Sequence, residues 1–434
     1  MNVECNSSAK GRALVKGDST LVERGHSPQA ARDHNRALIL RLIRDAGPTS
    51  RAELARLSRL SKPVVTDIVD GLLHCQLVRE TTKGEAVLGR KPILLDINRE
   101  ALWVMGIDLS RNHVDLLITD LLGKPQRKMS RRVSFEDEDS GYPERVVKYV
   151  TDIIRDSGVD QSRIAGIGIG YPLPLSHAQR MIVSDGQVVG WKTVRLKELI
   201  QSEFNVPVYL ENDANVAALY EKWYGEATDF KDFLFVLVGN GVGCGIMIGG
   251  SIYRGTHGIA GEIGHMSIDP NGPRCLCGSR GCLETLVSVP RLASQVLEED
   301  VKTGRAGDGL PTLDEICKRA VRGDSVVAEK IHEMSEYLAI GITNLVNTFN
   351  PEAVVIGGTI AKLGDSLKEP LMNALVARAH PLFADKTKVV LSHHSEDAVA
   401  RGAAVLVIES FFQNPQRYVP ELANGPRSRA TSEG

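Results

Sequence analysis

The chain of 434 residues, 42% hydrophobic and 24% charged, has the composition of a water-soluble globular protein of two or three domains, which excludes a fibrous or wholly disordered molecule. Its most apolar run, 233–250, is broken by glycines from Gly239 to Gly250, so it predicts two short strands around a turn and not a membrane span. The net charge of −2 is unevenly spread: Arg32 to Leu95 carries twelve Lys or Arg against seven Asp or Glu, a local +5 that leaves −7 elsewhere.

Residues 1–31 and 413–434 read as loose tails, and no secretory signal is visible. The first element is a helix in which Leu38/Leu42 and Ile39/Ile43 recur at i, i+4 until Gly47-Pro48 ends it. Ser50 and Glu53 predict a capping box opening a second helix, with Leu54, Ala55 and Leu57 to bury. After a turn through Leu60, Ser61 predicts the N-cap of a third helix, whose Val65, Ile68, Val69, Leu72 and Leu73 share one face. Strands at 77–80 and 93–97 then flank a loop bearing Lys83, Arg90 and Lys91.

This order is that of a winged helix-turn-helix over residues 32–97, and hence of DNA binding. The residues expected to meet DNA are Arg51, Ser61, Lys62, Pro63, Val64 and Thr66 in the helices and Arg90 and Lys91 in the wing. Lys62 and the third helix's first N–H groups suit phosphate, and Arg90, following Gly89, suits a narrow minor groove. The alternative is a small interaction bundle with a solvated basic face.

From Leu102 the pattern becomes α/β: a hairpin (102–109, 114–119), a helix (143–156), a strand (164–170), a helix (194–204) and a strand (206–210). Glu211-Asn212-Asp213 then opens a helix to Tyr224, which sets Asp213 at a strand-to-helix junction facing a cleft. The second half repeats the theme, with strands at 233–238, 244–248 and 353–356 and helices across 290–349. Two α/β lobes follow: lobe 1 at 98–230 with a returning helix at 397–412, and lobe 2 at 231–396.

Within lobe 2, His265, Cys275, Cys277 and Cys282 have the spacing His-x9-Cys-x-Cys-x4-Cys, which predicts a tetrahedral structural Zn²⁺ site. Gly278, Ser279, Arg280 and Gly281 form a polar turn and not a core segment, so buried thiols are the poorer reading. Glu262 lies three residues before His265, on a loop such a metal would stiffen. Cys5, Cys75, Cys244 and Cys317 are scattered singly, give no disulfide framework, and fit a reducing cytoplasm.

Glu211-Asn212-Asp213, Gly261-Glu262-Ile263-Gly264-His265 and the segment from Cys275 to Glu284 resemble the signatures of the ROK family of repressors, open reading frames and sugar kinases. The N-terminal module with Gly89-Arg90-Lys91-Pro92 is similar to that of the family's repressor branch, regulators of xylose, glucose and N-acetylglucosamine genes. The resemblance implies a two-lobed actin-like ATPase fold in which Asn212, Asp213, Glu262, His265 and Glu284 line a sugar pocket. It further implies that Asp213 matches the kinases' proton-abstracting base.

Two departures accompany the resemblance. The first phosphate loop of the kinases reads Asp-x-Gly-Gly-Thr-Lys, whereas here Asp108-Leu109-Ser110-Arg111-Asn112-His113 has lost both glycines. Gly239 to Gly245 and Gly357-Gly358 resemble the second phosphate loop and the adenosine segment and are largely kept. After Gly170, Tyr171-Pro172-Leu173-Pro174 puts a leucine where kinases commonly have glycine. The expectation is a sugar- or sugar-phosphate-responsive repressor, dimeric or tetrameric, with structural zinc, no kinase activity and Asp213 a vestigial base. The alternatives are a working sugar kinase that also binds DNA, and a regulator controlled by a sugar-transport protein.

Overall fold

In the computed structural model the described residues are 28–81, 92–110, 113–133, 141–172, 175–176, 181–184, 187–188, 191–305, 309–378, 386–393 and 397–424. The head comprises α1 (Pro28–Ala46), β1 (Thr49–Ser50), α2 (Arg51–Ser58), α3 (Lys62–His74), β2 (Val78–Glu80) and β3 (Leu94–Ile97). β3 lies between β1 and β2 and is antiparallel to both. Helix α1 starts four residues before the expected boundary at 32 and ends at Gly47, whose φ of +68° suits a residue without Cβ. Ser50 caps α2 by accepting the Glu53 N–H, but the Glu53 carboxylate is paired with Arg56, so only half of the expected capping box forms.

Lobe 1 continues with β4 (Trp103–Leu109), β5 (His113–Asp120), β6 (Pro125–Arg132), α4 (Tyr142–Ser157), β7 (Ile164–Tyr171), the short β8 (Leu175–Ser176), β9 (Met181–Ser184) and β10 (Gln187–Val188), α5 (Trp191–Phe204), β11 (Val208–Asn212) and α6 (Asp213–Tyr224). Lobe 2 has β12 (Phe233–Val238), β13 (Val242–Ile248), β14 (Ser251–Ile252), α7 (Leu283–Val287), α8 (Val289–Lys302), α9 (Leu313–Val321), α10 (Ser325–Phe349), β15 (Ala353–Gly357), α11 (Asp365–Arg378) and β16 (Lys388–Leu391). Then α12 (Ala398–Gln413) returns to lobe 1.

The two main sheets have one topology. β4, β5 and β6 form an antiparallel meander to which β7 and β11 add in parallel, giving the order β11-β7-β4-β5-β6; β12, β13, β14, β15 and β16 repeat this as β14-β13-β12-β15-β16. The helix after the last strand of each lobe packs on the other: α6 lies on β12 and β13, and α12 on β4 and β7. These helices cross at contact distance because small residues allow it. A Cβ on Gly402 would lie 1.8 Å or less from backbone, at 1.7 Å from the Val216 carbonyl oxygen, and one on Gly106 would lie 1.8 Å from that of Ala400.

The head is not a bead on a linker. Its core residues Ile39, Leu40, Ile43, Leu54, Val65, Val69 and Leu72 are continuous with Val407, Ile408, Phe411 and Phe412 of α12. The expected tail at 413–434 needs correcting in its first part. Residues 414–424 fold as a tight turn and α13 (Glu421–Asn424), with the Tyr418 hydroxyl 2.6 Å from that of Tyr209 and Leu422 buried. Tyr418, Val419 and Leu422 there supply the apolar area that docks the segment on the core. Among the described residues no helix is long and apolar enough to cross a membrane.

Candidate effector cleft, metal cluster and nucleic-acid interface

The cleft is organised by the start of α6. Asn212 is the N-cap, its Oδ1 accepting the N–H groups of Ala214 at 3.0 Å and Asn215 at 3.2 Å. Capping occupies the carbonyl oxygen, so the amide NH₂ is what Asn212 can offer a ligand. Asp213 accepts the Ala214 N–H at 2.7 Å. Burial, reinforced by the negative charges of Asp108 and Glu262, pushes its carboxyl up to about 7. Near neutral pH Asp213 therefore divides between acceptor and donor forms, which suits gripping a sugar hydroxyl or taking its proton.

Glu211, just before, is a strut. Its buried carboxylate takes Arg254 Nε at 2.7 Å, Asn215 Nδ2 at 3.0 Å and the Asn212 N–H at 3.0 Å, fixing the strand-to-helix junction. On the facing lobe, burial raises Glu262, with the Glu284 charge adding to the rise and His265 opposing it. Glu284 Oε2 in turn accepts the Val242 N–H at 3.0 Å. Of the five residues expected at a sugar, Asp213, Glu262, His265 and Glu284 are linked through the charge of Glu262, and Asn212 joins them as the neighbour of Asp213. Arg254 and Asp108 were not foreseen in it; Asp108 was visible only as the loop's first residue.

The glycines of the second phosphate loop have packing reasons to persist. A Cβ on Gly241 would lie 2.8 Å from Glu284 Oε2, and one on Gly245 2.4 Å from the Ala214 carbonyl oxygen. Gly358 has φ +84° and would put a Cβ 2.4 Å from the Val238 oxygen. Their retention therefore says little about nucleotide. In the first phosphate loop, Arg111 and Asn112 lie outside the described residues, as do Leu173 and Pro174. A cavity of about 630 Å³ opens at the end of β16, and its lining includes Lys128, Lys362, Lys368, His393, Asp397 and Arg401.

His265, Cys275, Cys277 and Cys282 converge, with one ligand atom of each inside a 4.8 Å set. Cys277 Sγ is 3.6 Å from Cys282 Sγ, and Cys275 Sγ is 3.6 Å from His265 Nδ1. Tetrahedral Zn–S bonds of about 2.3 Å require S···S edges of roughly 3.8 Å, so the group fits a metal ion of that kind. The bridges Ser267–Cys282 and Arg274–Arg280 hold the loop, and Gly281, with φ +58°, would place a Cβ 1.6 Å from the Asp269 oxygen.

In the head, Ser61, Lys62, Pro63, Val64 and Thr66 are all exposed at the start of α3, while Val65, Ile68, Val69 and Leu72 face inward. Ser61 makes no side-chain cap bond, and Thr66 Oγ1 donates to the Lys62 carbonyl at 3.0 Å. Arg51 is differently disposed: it pairs with Asp70 at 3.1 Å and Glu80 at 3.3 Å, bracing α2 against α3 and β2. The wing residues Lys83, Arg90 and Lys91 lie outside the described residues.

Two lobes of repeated topology, an acidic cluster at the start of α6 and a Cys₃His cluster define a sugar-kinase-like body, which carries a three-helix head with a small antiparallel sheet. The chain belongs to the ROK family, whose pattern matches residues 104–410. It is 33% identical over 389 residues to a putative xylose repressor of Caldicellulosiruptor sp. (strain Rt8B.4), covering 88% of this chain and 97% of that protein. A glucokinase of Halalkalibacterium halodurans is 30% identical, covering 94% of that enzyme but only 70% of this chain. Among solved structures, a ROK family transcriptional regulator described as a homologue of the E. coli MLC protein superposes with TM-score 0.77 at 27% identity, over 91% of this chain and 100% of that one. The repressor and the regulator extend over more of this chain than the enzyme does.

Proposed function

We propose that this protein is a sugar-responsive transcriptional regulator acting as a repressor. The head binds paired operator half-sites as a dimer, and a sugar or sugar phosphate in the cleft releases it. One observation carries the reading: the helix whose first residue is Asp213 ends against the head. Arg44 of α1 stacks over Trp223 of α6 and over Phe412 of α12, its guanidinium carbon 4.7 Å from each ring centre. Trp223 Nε1 donates to Glu409 of α12 at 2.8 Å.

Asn212, Asp213, Glu262, His265 and Glu284 hold the sugar hydroxyls, a dense set of acceptors with one amide donor. Zn²⁺ on His265, Cys275, Cys277 and Cys282 keeps the loop of Glu262 rigid, and its chemistry is structural because four protein ligands leave no open position. Closure of the lobes on the sugar shifts α6 against α12 and thereby tilts α1. A coupling of about 1 to 3 kcal/mol is enough to switch DNA occupancy. Ser61, Lys62, Pro63, Val64 and Thr66 enter the major groove, and Arg90 and Lys91 of the wing supply backbone or minor-groove contacts.

The kinase reading has one feature in its favour, the position and raised pKa of Asp213. Against it stands the loss of both glycines from the first phosphate loop, which crowds the place where phosphate must approach backbone N–H groups. ATP turnover over a panel of hexoses separates the two: no turnover is expected, and turnover abolished by Asp213→Ala would replace the regulator with an enzyme. DNA binding unaffected by any sugar would instead favour control by a transport protein.

A further inference from the structure

Asp108 and Asp115 are directly opposite each other on the antiparallel strands β4 and β5. Like charges in that position repel and destabilise the hairpin. His113 lies two residues before Asp115, so strand alternation puts its side chain on the same sheet face. That face is turned toward α12, because Gly106, two residues before Asp108, abuts the Ala400 backbone. The three side chains converge: a ligand atom of each lies within 4.8 Å of the others, and His113 Nε2 is 3.4 Å from Asp115 Oδ2.

We propose that Asp108, His113 and Asp115 form a second metal site, for a divalent first-row transition ion such as Mn²⁺, distinct from the cysteine cluster. Two carboxylates and an imidazole are the donor set such ions take. An octahedral ion with bonds of about 2.1 Å holds adjacent ligand atoms roughly 3.0 Å apart, so the 3.4 Å between His113 Nε2 and Asp115 Oδ2 closes by a few tenths of an ångström when the ion binds. Outer groups are already in place: Ser110 Oγ donates to Asp108 Oδ1 at 3.0 Å, and Ser130, opposite Asp115 on β6, hydrogen-bonds that carboxylate. Such partners orient ligands in metal sites.

Among the described residues, His113 and Lys128 are the cations whose charge reaches Asp115, and neither is committed to it alone. Lys128, whose charge reaches Asp115, is paired with Asp397. A protonated His113 would neutralise only one of the two carboxylates, whereas a divalent ion neutralises both. Asp108 and His113 bracket the segment whose counterpart in the kinases carries the two glycines.

The test is a Mn²⁺ titration of the zinc-loaded full-length protein, followed by loss of the free-ion electron paramagnetic resonance signal. Mn²⁺ is the probe because hard oxygen and imidazole donors suit it and thiolates do not. The expected result is one Mn²⁺ per chain, bound at least tenfold more weakly in Asp115→Asn and in His113→Gln and unchanged in Cys277→Ala. Zinc content and circular dichroism establish that Asp115→Asn and His113→Gln are folded, and circular dichroism alone serves for Cys277→Ala, which lacks a zinc ligand; if Asp115→Asn is not folded, His113→Gln carries the test, since that side chain is 40% exposed. No uptake by the wild-type protein, or uptake unaltered in the folded variants, overturns the proposal.

Discussion

The guanidinium of Arg44 lies against the Trp223 ring, joining the head's first helix to the far end of the helix that begins at Asp213. Twelve helical residues at about 1.5 Å each separate the effector end from the head end by roughly 18 Å. In the proposed switch this helix is the element that carries a tilt at Asp213 to α1.

Replacing Arg44 should therefore damage communication more than binding. Arg44→Lys keeps the charge but loses the planar stack on Trp223 and Phe412, a contact worth about 1 kcal/mol. DNA affinity without effector should stay within about threefold of wild type, while the sugar-induced change in affinity should shrink several-fold. Fluorescence anisotropy with labelled operator, with and without sugar, measures both.

Lys62 and Arg51 should behave differently although both were expected at DNA. Lys62 is exposed at the start of α3 with no ion pair described for it, so Lys62→Ala should lower affinity for all sequences and reduce the salt slope by about 1. Arg51 is committed to Asp70 and Glu80, so Arg51→Ala should leave the salt slope near wild type.

The α6–α12 crossing tolerates no side chain at Gly402. A methyl there would lie 1.7 Å from the Val216 oxygen, and Gly402→Ala should cost at least about 2 kcal/mol of stability, read as a lowered denaturation midpoint. An unchanged midpoint would show that the helices can separate freely.

The raised carboxyl of Asp213 makes a signed pH prediction. Its folded pKa of about 7 lies above the unfolded value of about 4, so its contribution favours the fold below pH 4 and is lost as pH rises through 7. Asp213→Asn removes that ionisation. In buffer without added divalent ions the variant should gain stability relative to wild type above pH 7 and little at pH 4, as thermal denaturation at each pH would report.

The head helices were legible because Ile39, Ile43, Val65, Val69 and Leu72 repeat at helical spacing and do become core. Strand β6 was not, because only Met129 of its eight residues is buried and no alternation marks it. The Cys₃His cluster was legible because its ligands are close in sequence. The ion pairs of Arg51 were not legible for the opposite reason: Asp70 and Glu80 lie on other elements, and only the folded head brings them together. The Arg44–Trp223 contact likewise joins distant segments and leaves no periodic trace. Asp108 and Asp115 carry no motif spacing of their own, and it is the hairpin register that places them opposite.

The most direct test of the regulator reading is operator binding by the zinc-loaded protein at fixed salt, using its own upstream DNA and a panel of free and phosphorylated sugars. One sugar should lower affinity about 5- to 150-fold in the wild type and have no effect on Asp213→Ala, whose affinity without sugar should be unchanged. DNA binding indifferent to every sugar, or no DNA binding at all, would contradict the account.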